Sequence, residues 1–424
     1  MRHFILFGSL PRLQLSTRFS HYWEALKTVF FCKSWVDPLF IKKTEIQLAK
    51  IIGKRNVILT NMARLGIYLV LKNIIKPGQK VILSPYTISE VINMVICAGG
   101  IPVFADLDKN TCNISAEAIK KHLRMQKNIG AVMVTHFYGK MCDINQIKKL
   151  CIKAKIPLIE DTAQAFGAKC NSHFAGTFGT AGVLSFGIYK NINTFYGGAI
   201  VTDDNNLAKK IREEIENSKP LSKIFFIKKV ISAFIIDIAT NNIIFRIFTF
   251  NIYRIGYLLK IQKILNHFKT DLNPKAFYKL PKDYVFKPNI CQAKLLPKQL
   301  QTLQAQTDER RRKAKIYIKG LEKIKTISIP ATKELEGHAF WYFPLIFKRR
   351  DELVRHALIR GRDITPSYHR NCADLRCFEE FKRNCPEAKK TEKSVIYLPV
   401  YPKYSDREIY RNIETLKNYL LKKT

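Results

Sequence analysis

From about residue 43 the apolar positions of the chain fall into helix-like and strand-like segments in alternation. KTEIQLAKIIGK reads as a helix ended by Gly53, and ARLGIYLVLKNII as a second one closed by Pro77-Gly78. KVILSPY is a short strand, SEVINMVICAGG a helix with a glycine C-cap signal, and IPVFADLD a strand ending in acidic residues. The helix SAEAIKKHLRMQ, the strand GAVMVTHFYG, the helix INQIKKLCIKAK and the strand IPLIEDTAQA follow. This rhythm predicts an α/β fold: a mostly parallel central sheet flanked by helices on both faces. In such sheets ligands bind beyond the carboxyl ends of the strands, so polar residues there are the first candidates for chemistry.

The texture changes after Arg212. Residues 221–264 are strongly apolar and aromatic, interrupted by Asp237, Arg246 and Arg254, and no uncharged run reaches the length that spans a bilayer. Two readings stay open: helices buried in the protein or an oligomer interface, and a segment lying on a membrane with Lys223, Lys228, Lys229, Lys260 and Lys263 at anionic headgroups. From about residue 273 a second α/β unit begins. NICQAKLLPKQLQTLQAQTDERRRKAKIYIKGLEKI reads as a long helix or helix pair, HAFWYFPLIF as a strand and DELVRHALIRGRD as a helix. The last segment reads as a strand, a turn and an amphipathic helix with Ser405 as its N-cap. The expected organisation is an N-terminal arm (1–42), a large domain (43–220), an apolar aromatic insert (221–272) and a small C-terminal α/β domain (273–424).

Composition narrows the partners. The 424 residues carry 72 Lys and Arg against 34 Asp and Glu, a formal charge of +38, which favours anionic partners. The basic residues are spread rather than clustered, and no zinc-finger or RNP-type motif appears, so nucleic-acid binding is not expected. Ten cysteines form no C-x-x-C pair, and the spacing of His369, Cys372, Cys377 and Cys385 suits no common zinc site; free thiols and no metal are expected. MRHFILFGSLPRLQLSTRFS lacks an export h-region and cleavage site, which points to a cytoplasmic location.

Three segments offer chemistry. PLIEDTAQAFGA places Asp161 at the carboxyl end of a buried strand, where its desolvation needs a cationic or N–H partner; it either pairs with a ligand cation or caps the next helix. Gln164 lies three residues on, within reach of a ligand substituent. VLSFGIYKNINTFYGG offers a hydroxyl at Ser185 and an amine at Lys190, which can condense with an aldehyde if its pocket favours the neutral amine. TNMARLG opens a helix after a strand, where free N–H groups favour an anion and Arg64 can add a bidentate contact, or else serve as an ordinary surface arginine.

IEDTAQAFGA, followed by SFGIYKNINTFYGGAIVTDD, resembles the DegT/DnrJ/EryC1/StrS family of sugar aminotransferases. The similarity extends through KPGQKVILSPYT, AGGIPVFADLDKNTCNI, VTHFYGKMCDINQI and the terminal YLPVYP. The resemblance implies a pyridoxal 5'-phosphate (PLP) enzyme of fold type I, with a large domain and a smaller C-terminal one. By position, Lys190 matches the family's Schiff-base lysine, Asp161 the acid on the pyridine nitrogen, Gln164 the amide beside the ring hydroxyl, and Ser185 a phosphate ligand. Ala63 and Arg64 fall on the family's Gly-Thr phosphate turn without its hydroxyl. Ile88 stands where many members stack an aromatic ring on the cofactor, and Tyr196 replaces a common Glu before Gly-Gly. The implied activity moves an amino group from an amino acid, glutamate foremost, to a nucleotide-linked keto sugar for surface polysaccharide or glycan synthesis, in a homodimer, with peripheral contact at the inner face of a membrane through 221–264. Two rivals are a PLP-dependent sugar dehydratase, against which the retained lysine argues, and a non-catalytic sugar-nucleotide-binding relative at a membrane surface.

Overall fold

A computed structural model describes residues 8–266, 273–330 and 335–421. The alternating segments become seven strands, β1 (Asn56–Thr60), β2 (Lys80–Leu83), β3 (Ile101–Phe104), β4 (Ile129–Thr135), β5 (Leu158–Asp161), β6 (Ala181–Ser185) and β7 (Gly198–Thr202), in the spatial order β1-β7-β6-β5-β4-β2-β3. Pairing is parallel from β3 through β2, β4 and β5 to β6, whereas β7 runs antiparallel to both β6 and β1. The sheet is therefore mostly parallel. Its strands are nearly continuous apolar runs because helices cover both faces.

The helices start and stop where local chemistry directs. Asp37 accepts the Phe40 amide and Pro38 occupies the first turn, so the helix read from Lys43 begins earlier and spans Pro38–Ile52. Gly53, at φ 76°, closes it in a left-handed conformation that a side chain would strain. Ser115, Asp143 and Asn289 cap the helices Ala116–Met125, Ile144–Ala154 and Ile290–Leu321. Ser405 does occupy the N-cap of Asp406–Leu420, but its hydroxyl makes no capping bond there; Asp406 and Glu408 in the first turn supply favourable charge instead.

The C-terminal unit is a three-stranded antiparallel sheet of Phe343–Ile346, Val395–Leu398 and Thr365–Pro366, with Val395–Leu398 central, packed on Ile290–Leu321 and Asp406–Leu420 around Tyr317, Phe343, Leu398 and Leu416. A short antiparallel pairing of Tyr86–Thr87 with Arg370–Asn371 joins this unit to the large sheet. The N-terminal arm crosses between them. Arg12 grips the buried Asp363 through its backbone N–H and its guanidinium, both at 2.7 Å, and the Ser16 hydroxyl donates to the carbonyl of Lys190 at 3.2 Å.

The apolar insert opens with two helices, Lys223–Ala239 and Asn242–Leu258, bent by 57° at the break between them, and a short helix, Gln262–Asn266, follows. Among the described residues no single helix is long and apolar enough to cross a membrane. Phe226, Val230, Ala233, Phe250 and Tyr253 are buried against the protein, and Lys223–Ala239 packs on the helix Phe19–Phe31. Ile224, Ile231, Phe234, Ile235, Ile243, Phe248, Ile252 and Leu259 remain exposed, joined by Phe19, Trp23, Phe30 and Phe31. A parallel pairing of Lys219-Pro220 with Phe286-Lys287 holds the two ends of this excursion side by side.

Candidate active site

Strand β5 delivers Asp161 to the carboxyl edge of the sheet, between Thr135 at the end of β4 and Val183 on β6. Its carboxylate accepts the Ala163 amide at 2.9 Å and the Thr135 hydroxyl at 3.3 Å, and it makes no ion pair among the described residues. Burial dominates its protonation and pushes its carboxyl above the ordinary value, against those hydrogen bonds and the positive charge of Lys190. A buried carboxylate at a strand end with no cation in contact is a site prepared for one.

Lys190 lies on the loop after β6. Its amine is enclosed: burial pulls its pKa down to about 8, opposed by Asp161 and reinforced by Arg64. It sits 4.8 Å from the ring centroid of Trp341, whose indole N–H is tied to the Tyr189 carbonyl at 2.8 Å. The lowered pKa raises the neutral fraction of this amine near neutral pH well above that of an ordinary lysine, which favours a nucleophilic role.

Gln164 is oriented by its neighbours. Its carbonyl oxygen accepts the Tyr138 amide at 2.8 Å, so its amide nitrogen must face His369 Nε2 at 3.2 Å, and that imidazole nitrogen accepts. The His369 hydrogen is therefore on Nδ1 and is donated to Tyr397 Oη at 2.7 Å. Burial and the Lys190 charge lower the His369 pKa to about 3, so the ring stays neutral. Behind it, Tyr138 donates to Tyr86 at 2.9 Å, while Ser367 lies 2.7 Å from Tyr86 and donates to Tyr397 at 3.0 Å. This hydroxyl chain locks the small-domain wall onto the sheet edge.

At the other end, Gly198 pairs with Ser185 on one side and Thr60 on the other. A Cβ at Gly198 would lie 2.6 Å from the Ala63 nitrogen, so only glycine lets the helix Ala63–Ile74 begin this close to the Ser185 strand end. That helix has no side-chain N-cap, and the Ser185 hydroxyl makes no protein hydrogen bond among the described residues. Arg64, in its first turn, contacts Glu90 at 3.0 Å and the Tyr284 hydroxyl at 3.4 Å. Uncapped N–H groups, a spare hydroxyl and a guanidinium make an anion cradle.

A separate cavity of about 260 Å³ lies between the arm and the insert, lined by Gln14, Thr17, Asp237 and Asn242. Its polar groups bond one another, with Gln14 on Thr240 and Asn242 and with Asp237 on Tyr22 and Thr17, which makes it a structural seam.

The sequence profile of the DegT/DnrJ/EryC1/StrS aminotransferase family matches residues 25–221 and 266–417. The chain belongs to that family. The spore coat polysaccharide biosynthesis protein SpsC of Bacillus subtilis (strain 168) is 35% identical over 173 residues, 41% of this chain and 44% of SpsC, so the similarity spans less than half the length of this relative. Among solved structures, the sugar aminotransferase CalS13 from Micromonospora echinospora has a TM-score of 0.75 at 19% identity, covering 97% of this chain and 100% of its own. Helicobacter pylori PseC, an aminotransferase involved in pseudoaminic acid biosynthesis, has a TM-score of 0.74 at 16% identity, covering 98% and 100%. At these identities the structural likeness establishes the fold, that of the type I PLP enzymes.

DegT/DnrJ/EryC1/StrS aminotransferases use PLP, and the residues of this member fit it. The unpaired Asp161 carboxylate suits a protonated pyridine nitrogen, the second amide hydrogen of Gln164 suits the ring hydroxyl, and the Ser185–Ala63–Arg64 cradle suits the phosphate. Ile88, partly buried at the N-cap of Ser89–Cys97, supplies no ring for stacking. Tyr196 packs edge-on against Phe225 of the insert, and its hydroxyl contacts Met62 Sδ at 3.5 Å. Every candidate named from sequence thus gathers at one sheet edge. Trp341, His369 and Tyr397 were missed. HAFWYFPLIF carries only a strand signal, His369 stands out only beside Cys372, Cys377 and Cys385, and the nearness of Trp341 and His369 to Lys190 comes from the docking of the second unit.

Proposed function

We propose that this protein transfers an amino group from an amino acid, with glutamate as donor, to a keto sugar carried on a nucleotide, for surface polysaccharide or glycan synthesis. The enclosed Lys190 amine facing the unpaired Asp161 carboxylate carries this reading. PLP, when bound, supplies the electron sink for the carbon that loses or gains the amine. Asp161 would keep the ring nitrogen protonated, Gln164 would orient the ring hydroxyl, and Ser185 with the N–H groups at Ala63 and Arg64 would hold the phosphate. Lys190 would supply the amine that anchors the cofactor and, with its pKa lowered to about 8, would serve as the group that accepts and returns a proton. Trp341 and the neutral His369 exclude water on the small-domain side.

The protein acts as a cytoplasmic homodimer. Its insert rests on an anionic membrane face: the exposed apolar helices are accompanied by exposed Lys27, Lys33, Lys228, Lys260 and Lys263, while Asp237, the one acidic residue of Lys223–Ala239, is engaged by Tyr22 and Thr17.

Borohydride reduction of the PLP-loaded protein should fix a pyridoxyl label on the peptide bearing Lys190, and Lys190→Ala should take none. Equal labelling of the mutant would refute the assignment. A panel of nucleotide-linked keto sugars with glutamate should yield 2-oxoglutarate and amino sugar; 2-oxoglutarate and ammonia without amino sugar would favour dehydration.

A further inference from the structure

The Gln164 amide has two partners, and the small unit bears on both. Its oxygen accepts the Tyr138 N–H at 2.8 Å, and its nitrogen donates to His369 Nε2 at 3.2 Å. His369 belongs to the small unit, one residue before the Arg370–Asn371 pairing. Tyr138 lies in the turn after β4, and its backbone is held from the small-unit side. Its carbonyl accepts the Trp341 N–H at 3.0 Å, and the neighbouring Gly139 carbonyl accepts the Ala339 N–H at 2.7 Å. Tyr138 also sits at φ 58°, a conformation costly for a tyrosine that persists only where its surroundings enforce it.

His369 is as firmly placed as the amide it meets. Its Nδ1 donates to Tyr397 Oη at 2.7 Å, and its ring packs edge-on against Phe137, centroids 5.1 Å apart. Burial and the Lys190 charge keep the ring neutral, so Nε2 stays an acceptor. A primary amide has two N–H hydrogens. With one given to Nε2, the direction of the other is set.

We propose that His369 is a positioning residue: by accepting one hydrogen of the Gln164 amide it directs the other to the ring hydroxyl of PLP. This rests on the cofactor reading above and adds that docking of the small unit governs the charge on that hydroxyl. A hydrogen bond donated to the oxygen favours its ionised form, which absorbs at longer wavelength than the neutral one.

The test is the absorbance spectrum of the PLP-loaded protein, with affinity from titration of apo-protein. His369→Phe keeps a ring in the wall but removes the acceptor. It should move absorbance from the long-wavelength band toward the short-wavelength one and weaken PLP binding about three- to tenfold, the scale of one hydrogen bond. His369→Asn, whose amide reaches only the place of Nδ1, should shift likewise while keeping a donor for Tyr397. His369→Gln, whose amide reaches the place of Nε2, should restore the wild-type spectrum. Gln164→Leu should give the same shift, and adding His369→Phe to it should change nothing further, because the histidine acts through the amide. A wild-type spectrum in folded His369→Phe or His369→Asn protein overturns the assignment. So does a double mutant shifted beyond Gln164→Leu, which would make the histidine a packing residue. Failure of wild type to bind PLP at all would overturn the cofactor reading and this assignment with it, whereas a normal wild-type complex beside unaffected histidine variants overturns this assignment alone.

Discussion

Two adjacent carboxylates on β5 have opposite circumstances, because neighbouring strand residues face opposite sides. Glu160 is fully buried and saturated: it accepts from His136 Nε2 at 3.0 Å and from the amides of Gly176, Phe178 and Gly179 at 2.7–2.9 Å. Since His136 Nδ1 accepts the Cys142 amide, Nε2 carries the hydrogen given to Glu160. Glu160→Ala should cost about 3–5 kcal/mol by stranding these donors, read as a lower urea midpoint. Asp161, by contrast, is left underused by the protein. Asp161→Asn should spare the fold yet reduce turnover on the order of 10²-fold, as the loss of a preorganised charge does elsewhere. Lys190 gives a pH signature. Its folded pKa, lowered from 10.5 to about 8, means that between these values the unfolded lysine binds a proton the folded one does not. Apo-protein stability should therefore gain from this residue as pH rises from about 8 to about 10.5, with the full penalty in place below 8. Urea unfolding should show the rise in wild type and a flatter profile in Lys190→Met.

At the scale of elements, what was legible in the sequence is what short-range chemistry specifies. Alternating apolar runs and Gly53 as a C-cap each act within a few residues, and each lands as read. The extra turn at Pro38 shows a boundary moved by its capping residue, and Ser405 shows a capping residue whose position was right and whose bond was absent. Trp341, His369 and Tyr397 depend on how a second unit packs, which no local pattern encodes. The insert is legible as apolar helices, and its bend and two-sidedness come from the break at 240–241 and from the surface it meets. Its exposed face makes a direct prediction. Intact protein should co-sediment with anionic vesicles, and replacing Ile231, Phe234 and Ile235 by Ser should abolish this without loss of fold. Protein that stays in the supernatant while its oligomeric state responds to the same changes would assign the face to a second copy.

Across the whole molecule, the positive charge is dispersed, and the arm, the large sheet and the small unit are fastened to one another by contacts that include Arg12 on Asp363, Ser16 on the Lys190 carbonyl, and the pairing of Tyr86–Thr87 with Arg370–Asn371. The small unit thus contributes the wall of a pocket whose floor belongs to the sheet. The pairing of Lys219-Pro220 with Phe286-Lys287 brings the two ends of the insert together like the neck of a loop. The loop is nonetheless sewn into its host: Phe226 and Ala233 complete the core around Phe195, and Phe250 and Tyr253 that of the small unit, so removing it would open both cores to water.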